Sequence, residues 1–435
     1  MKNKSITNKK LFFRGNPIIR KEFFGALILL RDGRRYQVKN KFYTLLKQKY
    51  SKRYGYLKVD LEELTRDDSI INQLIELNIL TDLPEERGRV VFIENKYISK
   101  DCLSYPRTIY WECTRRCNYE CIHCYSSSGQ TYKSSELPYR VVKKLIDEMS
   151  LMGAEFLSIG GGEPMLYNDL FKVIKYAKKK MITVEMTTNA SLLTDASIRR
   201  LKDAGLEFIQ VSVDGAKEKT YSMIRKKGDF DKVIKNIKKI TPEFTVSVCM
   251  VINKINYNEV DPLIDLSKKM GVKHFRIVPF MEIGRGAELR KLQLNKMQFR
   301  RFYSHILKRK ELESKINIQL NENLIVPGRK NISWMPRNHY GCSAGRSTCG
   351  IDYQGNVYPC SYMVFDRLIC GNIKEKALFE IWKNSSIFKE IRELSKLRGK
   401  CANCKYLSLC RGGCRAAAYA QDCHLDDSDP LCSVI

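Results

Sequence analysis

Residues 117–125 read Cys117-Asn118-Tyr119-Glu120-Cys121-Ile122-His123-Cys124-Tyr125, a C-x3-C-x2-C spacing. Three thiolates from one tight loop can grip three corners of a 4Fe–4S cube and leave the fourth iron without a protein ligand. A cluster that only stores electrons normally takes four cysteines, so this spacing predicts an open iron able to bind a substrate or cofactor. A zinc loop is the alternative reading of three clustered cysteines.

Outward from this loop, strand and helix patterns alternate. Candidate strands are Thr108–Glu112, Phe156–Ile159, Thr183–Thr187, Phe208–Val213, Thr245–Val251 and His274–Val278. Between them lie helical runs over Val141–Met152, Asp169–Lys180, Ser197–Ala204, Phe230–Ile240 and Pro262–Met270. Six β-α repeats predict an α/β fold, a partial (β/α)6 barrel over residues 106–315 that includes a more helical stretch, Asn295–Lys315. In such folds the chemistry sits at the C-terminal strand ends, and the cysteine loop follows the first strand directly. Gly160-Gly161-Gly162-Glu163-Pro164 follows the second strand, where glycines allow close backbone approach and a carboxylate suits a cationic amine. Val211-Ser212-Val213-Asp214-Gly215 ends the fourth and offers a hydroxyl and a carboxylate suited to ribose.

The chain has 435 residues, enough for two or three domains, and 43% hydrophobic content, ordinary for a globular protein. The longest apolar run, Phe23–Leu30, is far too short for a membrane span, and no apolar segment of signal-peptide type follows the basic Met1–Lys10. A cytoplasmic location follows as the expectation. There, sixteen cysteines argue for metal or redox work, because structural disulfides do not persist. Five of them lie between Cys102 and Cys124 and ten between Cys342 and Cys432, with Cys249 alone between the groups.

The net charge is +29, about half of it in residues 1–58, where seventeen Lys and Arg face only Glu22 and Asp32. A basic end of this kind suggests an acidic partner. Nucleic acid is the competing partner, but no aromatic-plus-basic RNA motif accompanies the charge. The first 95 residues read as a small winged-helix-like α+β module. Gly25–Leu30 and Tyr36–Val38 flank an Asp32-Gly33 hairpin signal, a short helix begins at Phe42–Leu46, and Ile70 to Ile79 carry helical spacing with Asp67 and Asp68 as caps. Glu85–Gly88 reads as a connection, and the hairpin edge could accept an added peptide strand.

With Cys117, Cys121 and Cys124, then Gly161-Gly162-Glu163-Pro164, Thr188-Asn189 and Ser212–Gly215, residues 106–280 resemble a radical S-adenosylmethionine enzyme core. The resemblance implies that the open iron chelates S-adenosylmethionine and that one electron breaks its sulfonium bond. The resulting 5′-deoxyadenosyl radical takes a hydrogen atom from an unreactive C–H bond. It further implies that Gly161, Gly162 and Glu163 hold the methionine amine, with Asn189 in the same cofactor site. Tyr125 would lie by the adenine, Ser212 and Asp214 would hold the ribose, and Arg225 would meet the carboxylate.

The C-terminal cysteines, Cys342-x12-Gly355-x4-Cys360, Cys401-x2-Cys404-x5-Cys410-x3-Cys414 and Cys432, resemble the seven-cysteine SPASM domain, here over 340–435. A zinc ribbon is the plainer reading of the CxxC group. The resemblance implies two auxiliary 4Fe–4S clusters beside the catalytic one. Cys401, Cys404, Cys410 and Cys432 would hold one; Cys342, Cys360 and Cys414 the other, with Cys349 as a fourth ligand or with that site open. Cys102, Cys113, Cys249, Cys370 and Cys423 read as free thiols.

The N-terminal module, on Pro17–Glu22, Phe24–Leu27 and the hairpin, resembles the leader-recognition element of maturases of ribosomally made peptides. The combined resemblance implies hydrogen abstraction from a precursor peptide, then a cysteine thioether or a carbon–carbon crosslink. An electron donor such as flavodoxin or ferredoxin would be needed. A sulfatase-type formylglycine maturase shares the architecture, but resembles others of its group in an aspartate after the cysteine matching Cys360, where this chain has Ser361. A nucleic-acid-modifying enzyme and a non-catalytic electron carrier are the remaining readings. No paired histidines suggest a general acid or base, and His123 reads as packing.

Overall fold

The computed structural model describes residues 8–30, 34–60, 70–95, 97–130, 135–320, 341–393 and 397–432. They fall into two compact units. The first runs to Tyr105 and takes in Leu151–Gly153; the second starts at Pro106 and holds both the βα core and the cysteine-rich end.

The first unit is richer in strand than the sequence pattern predicts. Strands β1 (Asn8–Phe13), β2 (Ile18–Glu22), β3 (Gly25–Leu29), β4 (Arg35–Lys39), β5 (Tyr50–Ser51), β6 (Tyr56–Asp60), β7 (Leu80–Thr81) and β8 (Val91–Ile93) form two four-stranded sheets, ordered β5-β6-β1-β7 and β4-β3-β2-β8. The expected hairpin is β3–β4, with Ala26 opposite Val38, so β4 is an edge strand of its sheet among the described residues. Helices Asn40–Lys49 and Ile70–Glu76 are the two expected ones; Asp67 and Asp68 lie outside the described residues. Leu11, Phe13, Ile19, Ile28, Leu46 and Ile71 share one buried core. Inside this unit Arg20 and Glu22 form a fully buried ion pair at 2.8 Å. The Glu22 carboxylate also accepts from the Ser104 amide (2.9 Å) and hydroxyl (3.1 Å). Such a pair is tolerable in a core because its lone pairs are met.

In the second unit, β9 (Thr108–Thr114), β10 (Phe156–Gly161), β11 (Thr183–Thr188), β12 (Phe208–Ser212), β13 (Thr245–Ile252), β14 (His274–Pro279) and β15 (Asn317–Leu320) lie side by side, each parallel to the next. Helices Tyr139–Met152, Leu170–Lys179, Asp195–Ala204, Phe230–Ile240 and Val260–Lys269 alternate with them. Local chemistry sets their ends. Thr194 and Ser197 close a capping box at the start of Asp195–Ala204, and Gly205, at φ 88°, ends it. That helix turns Ile198, Leu201 and Ala204 inward.

The sheet does not stop at six strands. Beyond β15 at one edge, β16 (Thr348–Ile351) joins β9 in parallel register at the other, followed by antiparallel β17 (Asn356–Tyr358) and β18 (Gly371–Asn372). Ten strands thus carry the core and the cysteine-rich end on one sheet. Along β9 the side chains alternate. Ile109, Trp111 and Cys113 are buried on one face, Trp111 meeting Tyr167 edge-on at 5.3 Å. Tyr110 and Glu112 take the other, the inner face shared with Glu185 and Arg276. No helix among the described residues is long and apolar enough to cross a membrane.

Candidate active site

The cysteine loop leaves β9 at Thr114 and is fastened on three sides. Arg116 makes a bidentate pair with Glu136 (2.8 and 3.0 Å). Asn118 donates to the Ser191 hydroxyl (2.8 Å) and accepts from Asn189 Nδ2 (3.0 Å). After β14, Arg285 donates its amide to the Cys124 carbonyl (3.0 Å), Nε to the Cys121 carbonyl (2.9 Å) and Nη1 to the Ser128 carbonyl (2.6 Å). The adjoining Gly284, at φ 59°, is pressed so closely to the loop that a Cβ there would lie 2.2 Å from the Tyr125 carbonyl oxygen. This Gly284-Arg285 clamp was not among the expected site residues. Its sequence signal is the Gly284-Arg285-Gly286 run just past the sixth strand.

The thiols themselves are surrounded by donors. The Tyr119 amide points at Cys117 Sγ (3.4 Å), Arg225 Nη1 at Cys121 Sγ (3.7 Å), and Asn189 Nδ2 lies 4.0 Å from Cys117 Sγ. Burial pushes Cys117 up to about 12 and Cys121 up to about 11, the latter against the pull of Arg225 and Arg285. Cationic iron would hold these sulfurs as thiolates, and the donors would offset their charge. Among the described residues no three His, Cys, Asp or Glu side chains converge on a single-ion position. A cubane takes one thiolate per iron, so its ligands need not converge. The loop fits such a cluster.

The glycine run serves the loop as well as any ligand. The Gly162 amide donates to the Thr114 carbonyl (2.7 Å) and the Glu163 amide to that of Arg116 (2.9 Å). A Cβ on Gly162 would lie 2.1 Å from the Arg116 oxygen; one on Gly161, at φ 107°, would lie 2.5 Å from the Thr114 oxygen. The Glu163 carboxylate is buried and accepts from the Thr188 hydroxyl (2.7 Å) and the amides of Asn189 (2.8 Å) and Met165 (3.2 Å). It ties the second strand end to the third. Gly162→Ala is expected to cost about 1–3 kcal/mol by overpacking against the cluster loop. Gly160→Ala, whose Cβ would meet only Thr187 at 3.9 Å, is the matched control. Urea unfolding and iron content of the two variants check this.

Asp214 lies buried at the fourth strand end. Its carboxylate pairs with Arg225 Nε (2.7 Å) and His123 Nε2 (2.9 Å), and accepts the Val251 amide (2.7 Å). Against the cost of burial, these partners hold its pKa down at about 2. His123, expected only to pack, thus fastens the cluster loop to β12. Arg225 spans Asp214 and Cys121. Ser212 ends β12 beside Cys249 of β13. Tyr125 stacks edge-on against Tyr362 at 5.2 Å.

In the cysteine-rich end, Cys342, Cys360 and Cys414 belong to one buried cluster that Tyr125 and Tyr362 also join. Burial and the other two thiols push the Cys360 thiol far up. The structure sets Cys349 apart. It is fully buried on β16, and the groups that bear on it are Cys370, Glu148 and Arg392. The remaining segments are knotted together by Asp429, which accepts the Cys414 amide (2.7 Å) and the Leu431 amide (2.8 Å), and by the Arg398–Asp426 pair at 2.8 Å. Cys401 and Cys404 follow Arg398 in one turn, and the Cys432 amide bonds to the Asp429 carbonyl (3.0 Å). Gly341 packs on the Cys410 carbonyl, where a Cβ would lie 2.4 Å away.

Comparison with known proteins agrees with this geometry. The radical SAM superfamily matches residues 111–267, and SPASM, an iron–sulfur cluster-binding domain, matches 342–405. The mycofactocin maturase MftC of Mycobacterium tuberculosis is 31% identical over 341 residues, 76% of this chain and 83% of that protein. The AdoMet-dependent heme synthase of Methanosarcina barkeri is 29% identical over 345 residues, 75% of this chain and 96% of that protein. Among solved structures, Streptococcus suis SuiB bound to precursor peptide SuiA matches at a TM-score of 0.74. It covers 98% of this chain and 100% of that chain at 18% identity, a likeness of fold. By its cysteine loop, its strand-end motifs and its identity to MftC, the chain belongs to the radical SAM superfamily, with an iron–sulfur SPASM domain behind the radical core.

Proposed function

We propose that this enzyme is a peptide maturase that crosslinks a ribosomally made precursor, most simply by joining a cysteine sulfur to a carbon. The observation that carries the reading is the shared packing of Tyr125, next to the radical loop, with Tyr362, Cys342, Cys360 and Cys414. A substrate held at the strand ends would lie between the radical centre and a thiol trio able to hold a second cluster. In this reading residues 1–95 dock the leader, 106–315 form the radical core and 340–435 hold two auxiliary clusters. The β4 edge strand (Arg35–Lys39) and the basic first 58 residues suit an acidic, extended leader. MftC is named a maturase and SuiB was crystallised with a precursor peptide, which supports the same class.

A 4Fe–4S cluster with S-adenosylmethionine at its open iron supplies a 5′-deoxyadenosyl radical able to abstract a substrate hydrogen. Cys117, Cys121 and Cys124 would hold that cluster, with Gly161, Gly162, Glu163, Asn189 and Ser212 around the cofactor. Arg225 and Asp214 would set the loop's charge. For the auxiliary trio, the placement of Cys349 against Cys370 favours a fourth site left to substrate or solvent. A cytoplasmic flavodoxin or ferredoxin would deliver electrons. The test is an anaerobic assay with a synthetic cysteine-containing precursor peptide. The expected product has lost two hydrogens per linkage; an unchanged mass with epimerised residues would overturn crosslinking.

The heme synthase similarity favours a second reading, a tetrapyrrole substrate. Turnover of an iron porphyrin, with the peptide left unaltered, would establish it. Against it stands the likeness of fold to SuiB, crystallised with a precursor peptide, over 98% of this chain.

A further inference from the structure

The inner face of the core sheet is polar where a packed barrel interior would be apolar. Bulky branched side chains normally fill such an interior in layers. Here the branched residues Ile109, Leu157, Val184, Ile209 and Val248 are buried on the outer face instead. The alternate positions carry Tyr110, Ser158, Glu185, Gln210, Ser247 and Arg276, strand neighbours facing inward. Tyr110, Glu185, Gln210 and Arg276 all keep partial exposure, so this face borders accessible space rather than a filled core.

Arg276 brings a positive charge into this space. It lies on β14 level with Cys249 of β13 and Ser212 of β12, the rung at which β12 ends. Its Nη1 is 3.5 Å from Gln210 Oε1, and the hydroxyls of Tyr110 and Tyr362 stand near it. Tyr362 in turn meets Tyr125 of the radical loop and follows Cys360 of the auxiliary trio by two residues. Other inward arginines of this unit are met more fully. Arg225 pairs with Asp214, and Arg392 donates to the carbonyls of Gly345 (2.6 Å) and Trp382 (2.7 Å). Arg415 donates to those of Leu425 (2.7 Å) and Asp427 (2.6 Å). Among the described residues no carboxylate stands within ion-pair distance of Arg276. Glu185 bears on it from farther off and takes a hydrogen bond from Ser158. A guanidinium drawn out of bulk water costs stability unless an anion meets it, so its place here points to a ligand that brings one. Its planar fork matches a carboxylate, which it can hold by two parallel hydrogen bonds.

We propose that Arg276 is the docking point for a carboxylate of the substrate, held inside the barrel on the side of Tyr362. The carboxylate comes from an acidic side chain near the reacting cysteine or from the end of the peptide chain. Arg276 thereby sets which peptide carbon faces the radical centre, and takes no part in the proton or electron steps. This rests on the peptide-crosslinking reading above.

The experiment compares the reconstituted wild type with Arg276→Gln and Arg276→Lys on pairs of synthetic cysteine-containing precursor peptides. In each pair a single Glu, moved in turn through the positions flanking the cysteine, is replaced by Gln. A further pair differs only in a free or an amidated C-terminus. The wild type should prefer one carboxylate peptide over its neutral twin by about 10- to 100-fold in kcat/KM, the worth of a charged hydrogen bond. Arg276→Gln should lose that preference, falling steeply on the carboxylate peptide and far less on its twin. Arg276→Lys, which keeps the charge but not the fork, should recover part of it. The pair that carries the preference tells a side-chain carboxylate from the chain end. Iron content and urea unfolding show whether each variant is folded and loaded. An equal loss on both members of every pair would overturn the proposal, marking Arg276 as a structural or cofactor-site group. A wild type without preference in any pair, or a preference that survives in Arg276→Gln, would overturn it and leave the peptide reading intact. Absence of product from the wild type with every peptide would overturn the peptide reading, and the proposal with it.

Discussion

Replacing Cys117, Cys121 and Cys124 together by alanine is expected to remove about four irons of about twelve per chain and to abolish S-adenosylmethionine cleavage. The loop offers three sulfurs, each beside its own polar group: the Tyr119 amide at Cys117, Arg225 at Cys121 and the Ser126 hydroxyl 3.5 Å from Cys124. Among the described residues no second set of three cysteines stands at the strand ends. Cys342, Cys360 and Cys414 lie in a buried cluster with Met363 and Tyr419, and together with Cys401, Cys404, Cys410 and Cys432 should keep about eight irons in the variant. Anaerobic reconstitution followed by iron and sulfide analysis checks the count. A total near four, with zinc bound in the cysteine-rich end, would remove the two auxiliary clusters from the proposed function.

Asp214→Ala should be the most destabilising single change in the site. It removes the partner of a buried guanidinium and the acceptor of the Val251 amide together. Breaking a buried pair by deleting one side costs about 3–5 kcal/mol, because the surviving charge has nowhere to go. The loss should also reach the cluster. Arg225 would no longer be fixed beside Cys121, and His123, inside the loop, would lose its anchor. Urea unfolding of the reconstituted protein and iron retention during desalting are the readouts. Asp214→Asn, which keeps the size and one acceptor oxygen, should fall between wild type and alanine. An alanine variant as stable as the wild type would show that Arg225 finds another partner.

The core was legible because its signals are local. Each of the six expected strands and five expected helices between them appears with ends shifted by two residues or fewer. Phe230–Ile240 shows why: Asp229 caps it, and Val233, Ile237 and Ile240 repeat at helical spacing on its buried face. Strands such as β1 and β16 escaped notice because Asn8–Phe13 is half lysine and polar, and Thr348–Ile351 is too short to alternate. Their pairing comes from β6 and from β9, far away in sequence. The motif glycines were legible too, though not their job. Gly161 and Gly162 are small because Thr114 and Arg116 pass against them, which spacing cannot reveal.

By itself, the sequence determined the three-cysteine loop, the alternating strands and helices that place it at the strand ends, and the cysteine-rich region that follows. These depend on spacing within one segment, which covalent geometry and period fix. Only the tertiary structure decided which charges meet. It gave Asp214 to Arg225 and His123, turned Arg285 back onto the Cys121 and Cys124 carbonyls, and set Cys349 by Cys370, Glu148 and Arg392. Each of these depends on groups brought together from separate strands, and a pKa or an ion pair exists only once such groups share a low-dielectric space.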